Sequence, residues 1–271
     1  MTLSIEQVEA DVVRLSMSGW RGRAVGYTVS AYVLRGVLVD TGFPGIRSEL
    51  MQAVTTLAPR GGIVTHWHED HAGNVPELAA SGLPLVMHAE CERLLRERPS
   101  IRAYRQIVWD RPNALVAPVR AFDPAPLQIM ATPGHTDDHI VAWDPERRIV
   151  VSGDLFLGVK VRVAHSHESF AALLHSLRAV AALEPRMLLD AHRGPVLNAT
   201  TLLHAKIGWL DDTIGTIRAL HDKGAGEREI QHRVLGAEPF VGWVSFGEYS
   251  KRSFVRAAIA SGSPAASPHQ R

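Results

Sequence analysis

The chain has a single cysteine, Cys91. That excludes an intramolecular disulfide framework and leaves any cysteine-rich metal site without ligands. It also lacks a charge imbalance: 29 Lys and Arg stand against 28 Asp and Glu, a formal net charge of +1. No strong field therefore draws it to nucleic acid or to a membrane surface. No uninterrupted apolar run approaches the ~20 residues that cross a bilayer. The first residues, Met1-Thr2-Leu3-Ser4-Ile5-Glu6, carry neither a basic stretch nor an apolar core, so no signal peptide is read and the cytoplasm is the expected location. No internal repeat is evident. With 271 residues, 46% hydrophobic and 21% charged, the chain can bury a large core as one domain or as one domain plus an appendage.

Histidine is abundant, with 14 copies. The densest stretch is Thr65-His66-Trp67-His68-Glu69-Asp70-His71-Ala72-Gly73-Asn74, three imidazoles and two carboxylates within six residues. Gly62-Ile63-Val64-Thr65 before it reads as the end of a buried strand. Alternate side chains of an extended chain share a face, so His66 and His68 point the same way. If a helix follows, Asp70 and His71 fall on the bend beside that face. Two imidazoles then suit one divalent ion, and a carboxylate with a third imidazole suits a second. Such donors fit zinc, and iron or manganese nearly as well.

Along the chain, strands are expected over 8–17 (an edge strand), 26–34 and 36–40, then a helix from Pro44 to about Leu57. A short helix to about Ala80, a strand over 83–87 and a helix over 89–98 follow the histidine stretch. Residues 99–113, with Tyr104, Trp109 and several arginines, read as a loop or broken helix over a surface. Strands are expected at 115–122 and 127–132, a hairpin at 139–143 and 148–152, a helix over 169–183 and a strand over 186–190. Beyond residue 200 the pattern is helical only, at 202–220, 227–235 and about 248–260. The final Ser-, Pro- and Ala-rich residues have the composition of a disordered tail.

Five apolar strands stop at a His or Asp: Asp40-Thr41-Gly42, the histidine stretch, Pro133-Gly134-His135, Gly153-Asp154 and Ala191-His192-Arg193-Gly194. Loops at strand ends are where folds carry function. One such turn alone is ordinary turn chemistry; five in one chain point to a site. His165-Ser166-His167 also has ligand spacing, but no apolar strand of comparable strength precedes it. Lys160 and Arg162 are candidates to meet an anionic substrate, and Tyr104 and Trp109 to line a pocket. Glu69 reads as a surface residue pointing away from the site, and Cys91 as a small buried side chain.

The string His66-x-His68-x-Asp70-His71, followed by Pro133-Gly134-His135, Ser152-Gly153-Asp154 and His192, resembles the metallo-β-lactamase superfamily over residues ~20–195. The resemblance implies an α+β fold, a four-layer αββα sandwich of two mixed β-sheets. It implies that His66, His68 and His135 hold a first metal, Asp70, His71 and His192 a second, and that Asp154 bridges them. Asp40 would orient a ligand imidazole, and His139 would either donate to substrate or support the site. Two divalent ions, zinc first and iron or manganese as alternatives, would acidify a shared water that attacks a carbonyl or phosphorus centre, with Asp70 orienting it and taking part in proton transfer. Glu229-Ile230 and Val234-Leu235-Gly236 are similar to the short helical signature of the β-lactamase-like 2 hydrolases, and Gly153-Asp154-Leu155-Phe156 to a ligand motif of glyoxalase II.

The domains expected are therefore a hydrolase domain over 1–200, a C-terminal helical, winged-helix-like appendage over 201–260 and a tail over 261–271. The activity implied is hydrolysis of a small ester, thioester or lactone by a binuclear metal centre, with a small molecule as substrate and homo-oligomerisation left open. Three alternatives use the same fold: a mononuclear iron persulfide dioxygenase, an RNA phosphodiesterase and a β-lactam hydrolase. The first has no need of His71 and His192 as ligands, the second is opposed by the neutral charge balance, and the third by the absence of an export signal.

Overall fold

The structure is a computed structural model, and it describes residues 1–19, 27–98 and 100–262. Two mixed β-sheets lie face to face, and the alternation of their strands shows how. In β3 (Val29–Leu34), Tyr32 and Leu34 join a core shared with Ile149 and Val151 of β9 (Ile149–Gly153) and Leu189 of β11 (Met187–Asp190). The intervening Val33, Val150 and Leu188 turn outward to helices. These strands are buried on both faces, so they read as continuous apolar runs.

The first sheet has six strands in chain order: β1 (Thr2–Glu9), β2 (Val12–Ser18), β3, β4 (Val37–Val39), β5 (Gly61–Ile63) and β6 (Leu85–Val86). β1 to β4 pair antiparallel, whereas β4, β5 and β6 run parallel. The second sheet has the order β12 (Gly194–Leu197), β11, β9, β8 (Ile140–Asp144), β7 (Gln128–Ala131), with only β9 and β11 parallel. Helices α1 (Arg47–Leu57), α2 (Val75–Ala80), α3 (Ala89–Glu97) and α4 (Ala103–Trp109) flank the first sheet, where Leu50, Leu78, Leu95 and Trp109 share one apolar cluster. On the other side, α5 (Phe170–Ala181) begins at Ser169, whose hydroxyl accepts the Ala172 N–H. It buries Phe170, Leu173, Leu177 and Val180 against Val150 and Leu188. The expected αββα sandwich is the fold observed.

The C-terminal residues join this second outer core. Leu203, Leu210 and Ile217 of α6 (Ala199–Asp222) and Phe254 of α9 (Lys251–Ala260) lie in the cluster that contains Phe170 and Leu188. Between them come α7 (Glu227–Ile230), a π-turn at Gln231–Leu235 and α8 (Phe240–Val244). Among the described residues, no helix is long and apolar enough to cross a membrane.

Three local expectations are corrected, and the loop or broken helix expected over 99–113 is narrowed to a helix. The edge strand is β1; residues 8–17 contain the hairpin turn at Ala10-Asp11, where Asp11 takes φ +56°. β1 is exposed over most of its length and so shows little apolar contrast. Residues 115–122 form no strand, although Leu115, Ala117 and Val119 do pack on the first core. Their alternation is a packing pattern without a ladder, and Pro118 has no N–H to give one. Residues 103–109 are helical. The C-terminal segment is not wholly helical, since β13 (Tyr249–Ser250) pairs with β10 (Ala164–His165). Gly26, expected to open β3, and the tail beyond Gly262 lie outside the described residues.

Candidate metal centre

The parallel strands β4 and β5 end side by side, and the histidine stretch leaves from the second. Thr41 ties it down: its N–H donates to the His71 carbonyl at 2.7 Å and its hydroxyl to the same oxygen at 2.8 Å. Asn74 adds two bonds from its side-chain amide to the carbonyls of Thr41 and Phe43. His66, His68, Asp70 and His71 are thus buried on a loop anchored by Thr41 and Asn74.

The remaining candidates come from the second sheet. His135 follows β7 after Gly134, whose φ is +141° and where a Cβ would lie 2.4 Å from the Leu173 backbone. Only glycine lets α5 approach so closely. Asp154 follows β9, and His192 follows β11.

Two groups result. His66, His68, His135 and Asp154 offer ligand atoms within 4.8 Å of one another, and so do Asp70, His71 and His192. Asp154 lies between them, with Oδ2 3.4 Å from His135 Nε2 and Oδ1 3.2 and 3.3 Å from Nε2 of His71 and His192. Asp70 Oδ2 is 3.5 Å from His192 Nε2. The Nε2 atoms of His66, His68 and His71 and Oδ1 of Asp154 are buried without hydrogen-bond partners. Orphaned polar atoms are costly, and a bound cation would satisfy all four of these together. Imidazole nitrogen and carboxylate oxygen form a donor set that divalent transition metals take.

The electrostatics agree. Burial, then neighbouring cationic groups, pushes the pKa values of His66 and His68 well below the usual range, which leaves both rings neutral, the form that can bind a metal. At His71 burial acts the same way, but Asp154, Asp70 and Asp40 outweigh it and hold the pKa well above the usual range. The same contest holds His192 up at about 9, with Asp154 the main opponent of burial. A pocket that retains protons against burial is one whose field favours a cation.

Supporting residues fix the ligands. Asp40, in the left-handed region at φ +65°, accepts from the Thr65 N–H at 2.8 Å and the Thr65 hydroxyl at 2.9 Å, and its Oδ2 lies 2.8 Å from His71 Nδ1. Both ring nitrogens of His139 are engaged within the protein. Its Nδ1 meets the Thr132 hydroxyl at 2.8 Å, its Nε2 accepts the Asp154 N–H at 3.1 Å, and burial holds its pKa down to about 3. Gly153, at φ +47°, leaves no room between them, because a Cβ would stand 2.7 Å from His139 Nε2. Lys160 is exposed on the loop after Asp154 and enters neither group. The Tyr104 hydroxyl, on α4, donates to Glu248, and Trp109 at the end of that helix lies 6.4 Å from the His192 ring, so α4 reaches the edge of the second group.

Several residues here are not among the expected site residues. Asp190 accepts the N–H groups of His192 and Arg193, each at 2.9 Å, and so sets the His192 turn. Its signal is present in the chain, an acid at a strand end like Asp40. Glu168 stands 3.3 Å from His135 Nδ1, and it directly follows His167 in sequence. Glu69 corrects an expectation. It is buried, and Arg105 of α4 grips it with two bonds of 2.6 Å each. The helix therefore holds the histidine loop from outside.

Known proteins share these features. The family model described as "Metallo-beta-lactamase superfamily" matches residues 25–192. "Beta-lactamase-like protein 2 homolog" of Caenorhabditis elegans is 27% identical over 193 residues, covering 65% of this chain and 62% of that protein. "Thioesterase pkgB" of Emericella nidulans is 30% identical over 138 residues, 50% of this chain and 35% of that one. The chain thus spans less than two thirds of the length of these curated relatives. Among solved structures, a metallo-beta-lactamase family protein from Thermus thermophilus superposes with a TM-score of 0.67 at 19% identity, over 93% of this chain and 94% of that one. The metallo-beta-lactamase FIM-1 from Pseudomonas aeruginosa, in a mono-zinc form, gives 0.57 at 21% identity, over 78% of this chain and 96% of its own.

Proposed function

Because the chain belongs to the metallo-β-lactamase superfamily, we propose that this metal-dependent hydrolase cleaves a small carboxylic thioester, ester or lactone at a centre of two divalent ions. The observation that carries the proposal is the completeness of both ligand groups around unpartnered buried ligand atoms. His66, His68 and His135 would hold one ion, Asp70, His71 and His192 the other, with Asp154 between them. Zinc is the metal we propose. When bound, such ions supply Lewis acidity and acidify water to near neutral pH.

The chain's own residues do the rest. Asp40 holds the His71 ring, Asp190 the His192 turn and His139 the Asp154 backbone. Asp70 accepts the proton of the attacking water. His192 is the most exposed of the seven, with 20% of its side chain accessible, which marks the side from which substrate enters. The name of the fungal thioesterase supports an acyl substrate.

The test is a panel of thioesters, esters, lactones, phosphodiesters and β-lactams assayed with the wild type and with Asp70→Ala. Hydrolysis of an acyl substrate that Asp70→Ala abolishes while it stays folded is the expected result. Turnover confined to phosphodiesters or β-lactams would replace the substrate class, and near-wild-type turnover by Asp70→Ala would remove the site.

A further inference from the structure

A third group of metal-ligating side chains lies beside the two already described. His165, His167 and Glu248 offer ligand atoms within 4.8 Å of one another, and none belongs to the first two groups. We propose that His165, His167 and Glu248 form a third divalent-metal site, of zinc-binding chemistry, at the edge of the cleft. The inference does not depend on the hydrolase reading.

Four observations support it. First, His165-Ser166-His167 repeats the spacing of His66-Trp67-His68, and its rings lie nearly parallel, 5.3 Å apart at 21°. Second, the acid arrives from far along the chain. The β10–β13 pairing sets His165 against Tyr249, and this brings Glu248 Oε1 to 2.9 Å from His165 Nδ1. That spacing is a hydrogen bond, and it also suits two ligand atoms on one small ion.

Third, both of these ligands are braced from behind, as metal ligands usually are. Tyr104 donates its hydroxyl to the other oxygen of Glu248, and Tyr249 stacks on His165 with centroids 4.4 Å apart. Fourth, charge is supplied locally. Glu248 brings the negative charge of the group itself, and Glu168 fixes the chain at His165 by accepting its backbone N–H at 3.0 Å. Two imidazoles and one carboxylate, with the exposed His167 leaving the solvent side open, form a three-ligand set that zinc accepts with a free fourth position. The rings of His165 and His68 are 5.5 Å apart, so this ion would sit next to the first group.

The test counts metal and does not read activity. The full-length protein is dialysed against buffered free zinc at graded concentrations, and zinc per chain is measured by mass spectrometry. Wild type should saturate at three equivalents, His167→Ala and Glu248→Gln at two. His221→Ala, which removes an exposed imidazole on α6, should keep three. Should Glu248→Gln fail to fold, the exposed His167 decides the matter alone. Saturation of the wild type at two, or survival of the third equivalent in a folded His167→Ala or Glu248→Gln variant, overturns the third site. Those results leave the two-group centre standing, and only saturation below two removes that as well.

Discussion

Replacing Arg105 with Met removes one partner of a buried ion pair and keeps most of its volume. Glu69 and Arg105 are joined by two bonds of 2.6 Å, and their side chains are 1% and 8% exposed. Solvent therefore screens the pair little. Breaking such a pair from one side strands a charge, at a cost of about 3–5 kcal/mol. Burial already pushes the Glu69 carboxyl up, and Arg105 is what opposes it. Without Arg105 the carboxyl rises further. A carboxyl raised above its unfolded value is tolerated while protonated and destabilises once pH climbs through it. The deficit of Arg105→Met should therefore be largest at neutral pH and shrink as pH falls toward 5. Urea unfolding followed by circular dichroism at both pH values measures this directly. The double variant Glu69→Gln/Arg105→Met, which buries no charge, should be more stable than Arg105→Met at pH 7. A single variant within about 1 kcal/mol of wild type at pH 7, the value of a solvent-screened pair, or a double variant no better than the single, would refute the reasoning.

Asp40→Asn keeps a residue that tolerates φ +65° but removes the charge facing His71. Metal affinity should fall about 10–100-fold in a chelator competition, and unchanged affinity would show that Asp40 only shapes the turn. Gly153→Ala places a methyl 2.7 Å from His139 Nε2 and 2.9 Å from the Thr65 hydroxyl. It should cost about 1–3 kcal/mol in thermal or urea unfolding, with weakened metal binding, and a neutral outcome would contradict the tight fit. Lys206 is buried, donates to the Phe156 carbonyl and has its pKa lowered to about 8 by burial, against the pull of Glu168, Asp190 and Asp154. The unfolded chain then holds a proton that the folded one lacks between about pH 8 and 10.5, so wild-type stability gains in that window. Lys206→Met lacks this gain of roughly 3 kcal/mol. Its stability relative to wild type should decline as pH rises through the window, and parallel pH curves would sink the idea.

The residues of the two candidate metal groups are legible in the chain because they stand at or just past the point where an apolar strand stops, and strands buried on both faces are the clearest runs to read. Gly134 and Gly153 are legible for the same reason, as the residues that make those stops. Residues recruited across long separations are not. Glu69 resembles a surface acid until Arg105, 36 residues on, is seen to meet it. His165 resembles a stray imidazole until Glu248, 83 residues on, reaches its Nδ1. Both partners arrive through elements that sequence periodicity describes poorly, a seven-residue helix in an arginine-rich stretch and a two-residue strand among helices. The first strand is hidden for another reason, since an edge exposed over most of its length carries little apolar alternation.

The central claim is that hydrolysis depends on cations held by His66, His68, Asp70, His71, His135, Asp154 and His192. Its most direct test is acyl-thioester turnover by the chelator-stripped full-length protein, measured before and after zinc is returned. The structure predicts background rates in the stripped protein and recovery with zinc. Turnover that persists in the stripped, metal-free protein would contradict it.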